Sequence, residues 1–371
     1  MPRKTDLSAL VGQLLIFGFD GTTVSAKLRS TLATMQPGGI VLFARNIEEP
    51  RQTHALLRDA QRTVNRPMFL CVDMEGGTVD RLKNIIAPAM PAHEVYRSKN
   101  RRLFREHGHV IGEEVAALGF NTDFAPVLDL RFEASLPVMT SRTISPDPKQ
   151  TVAYAREFLR GLKSAHVLGC GKHFPGLGEG SLDSHKDLPT ISKPWKRLWE
   201  EDLAPYRTLR SSLPLVMVAH AAYPDVTKDT TPASISKKWI TDVLRKKIGY
   251  KGLVISDDLE MGGVLNSTPI EQAAVETIRA GADIFLVCHN EEFVYRSYLA
   301  VLNEAEKNAN FRRQVETAAR RIMAFKKRSR ELNGRAVPPP TDKTVDKLRR
   351  KLWLFDEEVR LAINVEAAAT L

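Results

Sequence analysis

Eight short apolar, β-branched runs recur along the chain, separated by longer stretches with helical periodicity, and this alternation constrains the fold more than any other feature. The runs are QLLIFGF (13–19), GGIVLF (38–43), PMFLCVD (67–73), NTDFAPVLDL (121–130), HVLGCGKHF (166–174), PLVMVAH (214–220), GLVISDD (252–258) and ADIFLVC (282–288). Between them lie helix candidates such as RQTHALLRDAQRTV (51–64), LFREHGHVIGEEVAAL (103–118), QTVAYAREFLRGLKS (150–164) and SKKWITDVLRKKI (236–248). Near-continuous apolar strands need cover on both faces, and helices between successive strands supply it. The expected fold is therefore α/β, a single (β/α)8 TIM-type barrel. A doubly wound open sheet is the alternative, but no run opens into G-x-G-x-x-G or G-x-x-x-x-G-K-[ST].

The barrel is expected to occupy residues 1–331. Beyond it, NGRAVPPP (333–340) carries three consecutive prolines and cannot continue a helix. Residues 332–371 read as a proline-rich linker and an appended C-terminal helix, with apolar Val345, Leu348, Leu352, Trp353 and Leu354 available to pack on the barrel or on a partner. A net charge of +10 raises nucleic acid as a partner. The excess, however, sits in stretches such as RKKIGYKG (245–252) and FRRQVETAARRIMAFKKRSR (311–330), which read as solvated faces without stacking aromatics, so no nucleic acid is expected. No apolar run spans a bilayer, so no membrane partner is expected either. Cys71, Cys170 and Cys288 lie far apart without metal-ligand spacing, which fits a reducing compartment. In MPRKTDLSALVGQLLIFGF, Asp6, Ser8, Gly12 and Gln13 interrupt the apolar run, so the opening reads as a cytoplasmic amino terminus and not as a signal peptide. A monomer or weak homo-oligomer is the expected state.

Barrel active sites are built at the carboxyl ends of the strands, and the polar residues there form a short set. They are Asp73, Lys172 and His173, His220, Asp257 and Asp258, and His289 and Asn290. Any one alone could be a helix cap or a satisfied buried group; their convergence from several strands points to chemistry. Asp257, in VISDDLEM, is placed where a carboxylate can be held rigidly for attack on an anomeric carbon. Just after Lys172 and His173 comes the rest of KHFPGLGEGSLDSHKDLP (172–189), with Asp183 two residues before His185. An aspartate touching the imidazole would fix its tautomer and favour the cation, giving a proton donor near neutral pH. Gly176, Gly178 and Gly180 would let this loop move over a bound sugar. Should His185 not be the donor, His173 and Glu179 come next. No metal or other cofactor is needed by this set.

These residues carry a resemblance to glycoside hydrolase family 3, in its β-N-acetylhexosaminidase branch, whose loop signature K-H-[FI]-P-G-x-G-x(4)-D-S-H is matched by residues 172–185. GGIVLFARNI (38–47), VDMEGGTVDRL (72–82), NTDFAPVLDL (121–130), RTISPDP (142–148), MVAHAAYP (217–224) and ISDDLEM (255–261) follow the family in order, over roughly residues 8 to 330. The resemblance implies a single barrel that removes terminal β-N-acetylglucosamine with retention of configuration, and no second domain. It assigns Asp257 as nucleophile and Asp183 with His185 as acid/base dyad. It places Asp73, Arg142, Lys172 and His173 around the terminal sugar. The implied natural substrates are N-acetylglucosamine-containing saccharides and muropeptides, N-acetylglucosaminyl-anhydro-N-acetylmuramic acid with or without peptide, in cell-wall recycling. A β-N-acetylglucosaminide phosphorylase using the same dyad and a β-glucosidase-type hydrolase are the alternatives. Leu177, Thr78 and Met74 stand where His, Arg and Gln are commoner.

Overall fold

The computed structural model describes residues 7–180, 182–184, 186–334 and 337–369. Its strands are β1 (Leu15–Phe17), β2 (Gly39–Val41), β3 (Phe69–Val72), β4 (Met74–Gly76), β5 (Val79–Asp80), β6 (Thr122–Asp123), β7 (Leu168–Phe174), β8 (Leu215–Val218), β9 (Leu253–Asp258) and β10 (Ile284–Val287). Eight of them close a parallel barrel in the order β1-β2-β3-β6-β7-β8-β9-β10, with β10 returning to β1 through Leu15 opposite Phe285 and Phe17 opposite Val287. Each of the eight apolar runs supplies one barrel strand, so the expected (β/α)8 architecture is the one found. The runs outlast the strands: of 121–130 only Thr122 and Asp123 pair as a strand, and Val127 rejoins the sheet through one bridge to Lys172.

One element was not legible as a strand pair. β4 and β5 form a small antiparallel hairpin directly after β3, turning through Gly76 and Gly77 at φ +81° and +62°. Glycine reaches the left-handed region without steric penalty, and a Cβ on Gly77 would also stand 2.6 Å from that of Pro91. The hairpin carries Glu75 and leads into Arg81 at the barrel mouth.

Helices cover the outside, including Pro50–Thr63, Arg101–Ala117, Pro148–Ser164, Glu291–Lys307 and Ala309–Arg328. The candidate at 236–248 winds as a π-helix over Lys238–Lys247, with Ile248 N–H donating to the Val243 carbonyl at 2.8 Å. Trp239, Ile240, Val243 and Leu244 are buried by that winding. At the floor of the barrel a buried Lys326 donates to Gln13 Oε1 (2.9 Å) and to the Gly38 carbonyl (2.7 Å). Among the described residues no helix is long and apolar enough to cross a membrane.

The C-terminal helix, Asp342–Ala369, lies on the barrel. Val345, Leu348, Leu352, Phe355 and Val359 are buried, and Phe355 stacks on His107 with ring centroids 5.6 Å apart and planes 9° apart. Lys351 pairs with Glu113 and Arg349 Nε donates to the Ile86 carbonyl at 2.9 Å. Trp353 and Leu354, expected in the apolar face, point the other way; Trp353 is 62% exposed. The helical period explains this, because 348, 352, 355 and 359 fall on one stripe and 353 and 354 fall outside it.

Arg101–Ala117 and Pro148–Ser164 cross at two glycines. A Cβ on Gly108 would stand 2.1 Å from the Phe158 carbonyl oxygen, and one on Gly161 2.2 Å from that of Arg105. Helix propensity alone makes Gly108→Ala stabilising by about 1 kcal/mol. The backbone clash forces the helices apart and should outweigh that, giving a net loss of about 2 kcal/mol in urea unfolding. A gain in stability would contradict the close crossing.

Candidate active site

A cleft opens at the carboxyl ends of the barrel strands, and its wall on the β3 and β7 side is an ion network. Lys172, 3% exposed on β7, sets its Nζ 2.6 Å from Asp73 Oδ1 and 2.7 Å from Glu75 Oε1. Arg142 grips the same Glu75 with two bonds, Nε to Oε2 at 2.7 Å and Nη2 to Oε1 at 2.9 Å. Burial alone would raise the Glu75 pKa; the Arg142 and Lys172 charges beside it outweigh that and hold the carboxyl well below the usual range. Lys172 is likewise pulled down by burial, but Asp73 and Glu75 keep it above an ordinary lysine. Asp73, Arg142 and Lys172 thus come together, through a glutamate that had not been singled out.

His173 follows on β7, and its Nδ1 lies 2.7 Å from Asp129 Oδ2. Asp129 is fully buried and also accepts from the backbone N–H of His173 (3.2 Å) and of Leu177 (2.7 Å). With Nδ1 engaged, the ring's orientation is fixed while His173 lines the cleft. The Lys172–His173 peptide is cis, as is Phe174–Pro175.

Asp257, near the end of β9, is partly open to the cleft. Burial pushes its pKa up, yet His173, His220, the Asp258 N–H donating to Oδ1 at 2.9 Å, and Lys172 together bring it below the usual carboxylate value. It is therefore ionised at neutral pH. Asp258 beside it behaves oppositely: burial and the nearby Glu260 and Asp257 charges push it up to about 8. Its Oδ1 accepts from Glu260 N and Cys288 N, each at 3.1 Å, and its Oδ2 lies 3.5 Å from His289 Nε2.

The remaining strand-end candidates divide. His289 lines the cleft against Phe43, ring centroids 5.1 Å apart, with Arg45 Nη1 at 3.1 Å from its Nδ1. His220 is fully buried; its Nε2 lies 2.7 Å from the Asp258 carbonyl and its Nδ1 2.7 Å from Ser234 Oγ. A carbonyl only accepts, so Nε2 carries the proton, and His220 steadies the end of β9. Asn290 turns out to be a cap, its Oδ1 accepting from Glu292 N at 2.8 Å.

The glycine-loosened loop is tied at both ends. Behind it, the buried Lys193 Nζ gathers Glu179 (3.2 Å), Glu201 (2.6 Å) and Asp202 (2.5 Å), so Glu179 is occupied away from the cleft lining. Ahead of it, the Ser184 carbonyl accepts from Gly263 N at 3.0 Å, joining the loop to the turn after β9. Asp183 is half-buried and lines the cleft. His185, the other half of the expected dyad, lies outside the described residues.

Glu75 and Asp129 are the residues that sequence reading passed over. Both sat in quoted motifs, and an acid inside an apolar run, as in VLDL, signals a buried carboxylate that requires donors. Of the positions that depart from the common pattern, Leu177 is buried and lines the cleft, Thr78 is exposed on the hairpin, and Met74 is buried in β4. The nearby Arg81 lines the cleft in place of a cation at 78. Among the described residues, no three histidine, cysteine or carboxylate side chains come together as a metal-ligand set.

An ionised carboxylate open to a polar cleft at the strand ends of a parallel barrel is what stabilises positive charge at an anomeric carbon, and fold and cleft together define a barrel glycoside hydrolase. The chain belongs to glycosyl hydrolase family 3: the model of that family's N terminal domain matches residues 7–325. A β-hexosaminidase of Bordetella parapertussis is 36% identical over 280 residues, spanning 73% of this chain and 78% of the relative. One of Pseudomonas aeruginosa strain PAO1 is 36% identical over 279 residues, spanning 74% and 82%. The solved structure of a family 3 β-N-acetylglucosaminidase from Paenibacillus sp. str. FPU-7 superposes with a TM-score of 0.90 at 32% identity, covering 95% of this chain and 69% of that one.

The raised pKa of Asp258 makes stability depend on pH. A carboxyl whose folded pKa lies near 8, against an ordinary 3.8, favours the fold fully below about pH 4 and loses that contribution as pH rises to about 8. Asp258→Asn removes this titration. Its unfolding free energy in urea should fall less than the wild type's between pH 4 and pH 8, with a difference on the order of a few kcal/mol. Parallel curves would show that Asp258 is not held neutral.

Proposed function

We propose that this family 3 β-N-acetylhexosaminidase removes terminal β-linked N-acetylglucosamine with retention of configuration, Asp257 acting as nucleophile and Asp183 with His185 as acid/base dyad. The observation that carries the reading is the ionised Asp257, open to the same cleft as the Asp73–Lys172–Glu75–Arg142 network. In the first step an Asp257 carboxylate oxygen bonds to C1 as the C1–O bond to the leaving group breaks, and His185 gives its proton to that oxygen. In the second, His185 takes a proton from water, the water oxygen bonds to C1, and Asp257 leaves. Two displacements restore the original β configuration. Asp73, with one oxygen on Lys172, accepts from sugar hydroxyls through the other, while Arg142, Lys172 and His173 shape the pocket for the N-acetylated ring.

The aglycone reading is a muropeptide fragment, N-acetylglucosaminyl-anhydro-N-acetylmuramic acid, met in the cytoplasm during cell-wall recycling. Arg81 supports it. This residue lines the cleft with its guanidinium 5.7 Å from the Phe43 ring, and its buried Nε has no hydrogen-bond partner among the described residues. A carboxylate on the aglycone would supply one.

Asp257→Ala should lower kcat by several orders of magnitude while the protein stays folded, and proton NMR should show the β-anomer as the first product of the wild type. First appearance of the α-anomer would refute the double displacement.

His185→Ala should slow a natural disaccharide strongly and a dinitrophenyl glycoside little, because a good leaving group needs no proton. Equal losses on the two substrates would remove His185 from the role of donor.

A further inference from the structure

At the opposite end of the barrel, where the strands begin, a second cavity of about 660 Å³ is floored by backbone at the starts of β7, β8 and β9. Its rim carries six cations: Arg156, Arg160 and Lys163 from one helix, then Arg210, Lys251 and Arg328 from three other segments. Glu331 is the only carboxylate lining it among the described residues, and it accepts from Ser329 Oγ at 2.6 Å. Arg160 has a partner in Glu157 at 2.5 Å. Among the described residues the other five make no ion pair.

Elsewhere many exposed cations meet acids, as in Arg97 with Glu94, Arg296 with Glu271 and Arg312 with Glu316, while others, such as Lys347 and Arg350, make no ion pair among the described residues; here five such cations are gathered around one concavity. Helix dipoles account for part of it: Lys163, Arg210 and Arg328 stand at helix carboxyl ends, each favoured by about 0.3–1 kcal/mol. They give no reason for Arg156, in the middle of its helix, or for Lys251, in the irregular segment just before β9. Like charges around one concavity repel, and a low-dielectric wall focuses their field on whatever enters. An anion relieves the repulsion.

We infer that this cavity binds a small molecule bearing at least two phosphate groups. Its volume is that of a small-molecule site rather than of a flat polymer or membrane contact. Arginine forks and lysine point charges together suit phosphate oxygens, and the exposed Ser211 and Ser212 hydroxyls add neutral donors at the same rim. Among the described residues Phe325 is the one aromatic lining it, which leaves no series of rings there on which bases of a single strand could stack.

Calorimetric titration of the full chain with inorganic tripolyphosphate at physiological salt tests this. One saturable site is expected, weakened at least about tenfold in the double variant Arg156→Ala/Lys251→Ala. The double variant Lys347→Ala/Arg350→Ala, which removes the same charge from exposed positions on the C-terminal helix, should bind as the wild type does. Unchanged hydrolysis of p-nitrophenyl N-acetylglucosaminide in both variants would report an intact barrel. No saturable heat, equal weakening in the two variants, or binding to phosphatidylglycerol vesicles without any to tripolyphosphate would each overturn the inference.

Discussion

Glu75 is a buried anion held between two cations, and the mouth of the cleft is organised around it. Arg142 comes from the loop before the helix Pro148–Ser164 and Lys172 from β7, while Glu75 itself stands on the hairpin after β3. Three separate segments are thereby fixed by one carboxylate. Taking three charges out of water is expensive, and the arrangement is tolerable because every bond is short and the guanidinium contact is bidentate. Lys172 keeps a second carboxylate, Asp73, in the cleft, so the structural ion network and the cleft lining are one object.

The two adjacent acids at the end of β9 illustrate how environment separates identical side chains. Asp257 has cationic or proton-bearing neighbours in His173, His220 and Lys172 and stays ionised; Asp258 has Glu260 and Asp257 near it and stays protonated through the neutral range. His220 and Asp129 act behind this line. Neither lines the cleft, yet one steadies the β9 end and the other orients His173. A Lys193 cage of three acids performs the same service for the glycine-rich loop, whose own residues offer few side chains to anchor it.

Polarity is distributed unevenly along the barrel axis. Strand interiors are apolar and fully buried, the carboxyl-end mouth carries compensated charge, and the amino-end rim carries charge that is largely uncompensated. Compensated charge builds a rigid site, whereas uncompensated charge leaves one that an incoming ion can complete.

The barrel was readable from residue order because its signal is local: eight apolar runs, each long enough to make a strand, and helical periods between them. That these polar residues share the cleft was readable for the same reason, since Asp73, Lys172, His173 and Asp257 each stand at or near the carboxyl end of such a run. What residue order could not convey were partnerships across large separations. Glu75 meets Arg142 sixty-seven positions away, and Asp129 meets His173 forty-four positions away, and no local pattern announces either. The sorting of the strand-end polar residues had the same origin. Asn290 and Asp257 look equivalent in sequence, but one sits at the first turn of a helix with free backbone N–H groups to cap, and the other opens onto the cleft. Trp353 turned outward and Phe355 inward because helical phase had to match the position of His107 on a distant helix. Composition and periodicity specify which elements form; which side chains share a cavity, and hence which charges must compensate one another, exists only once those elements are packed.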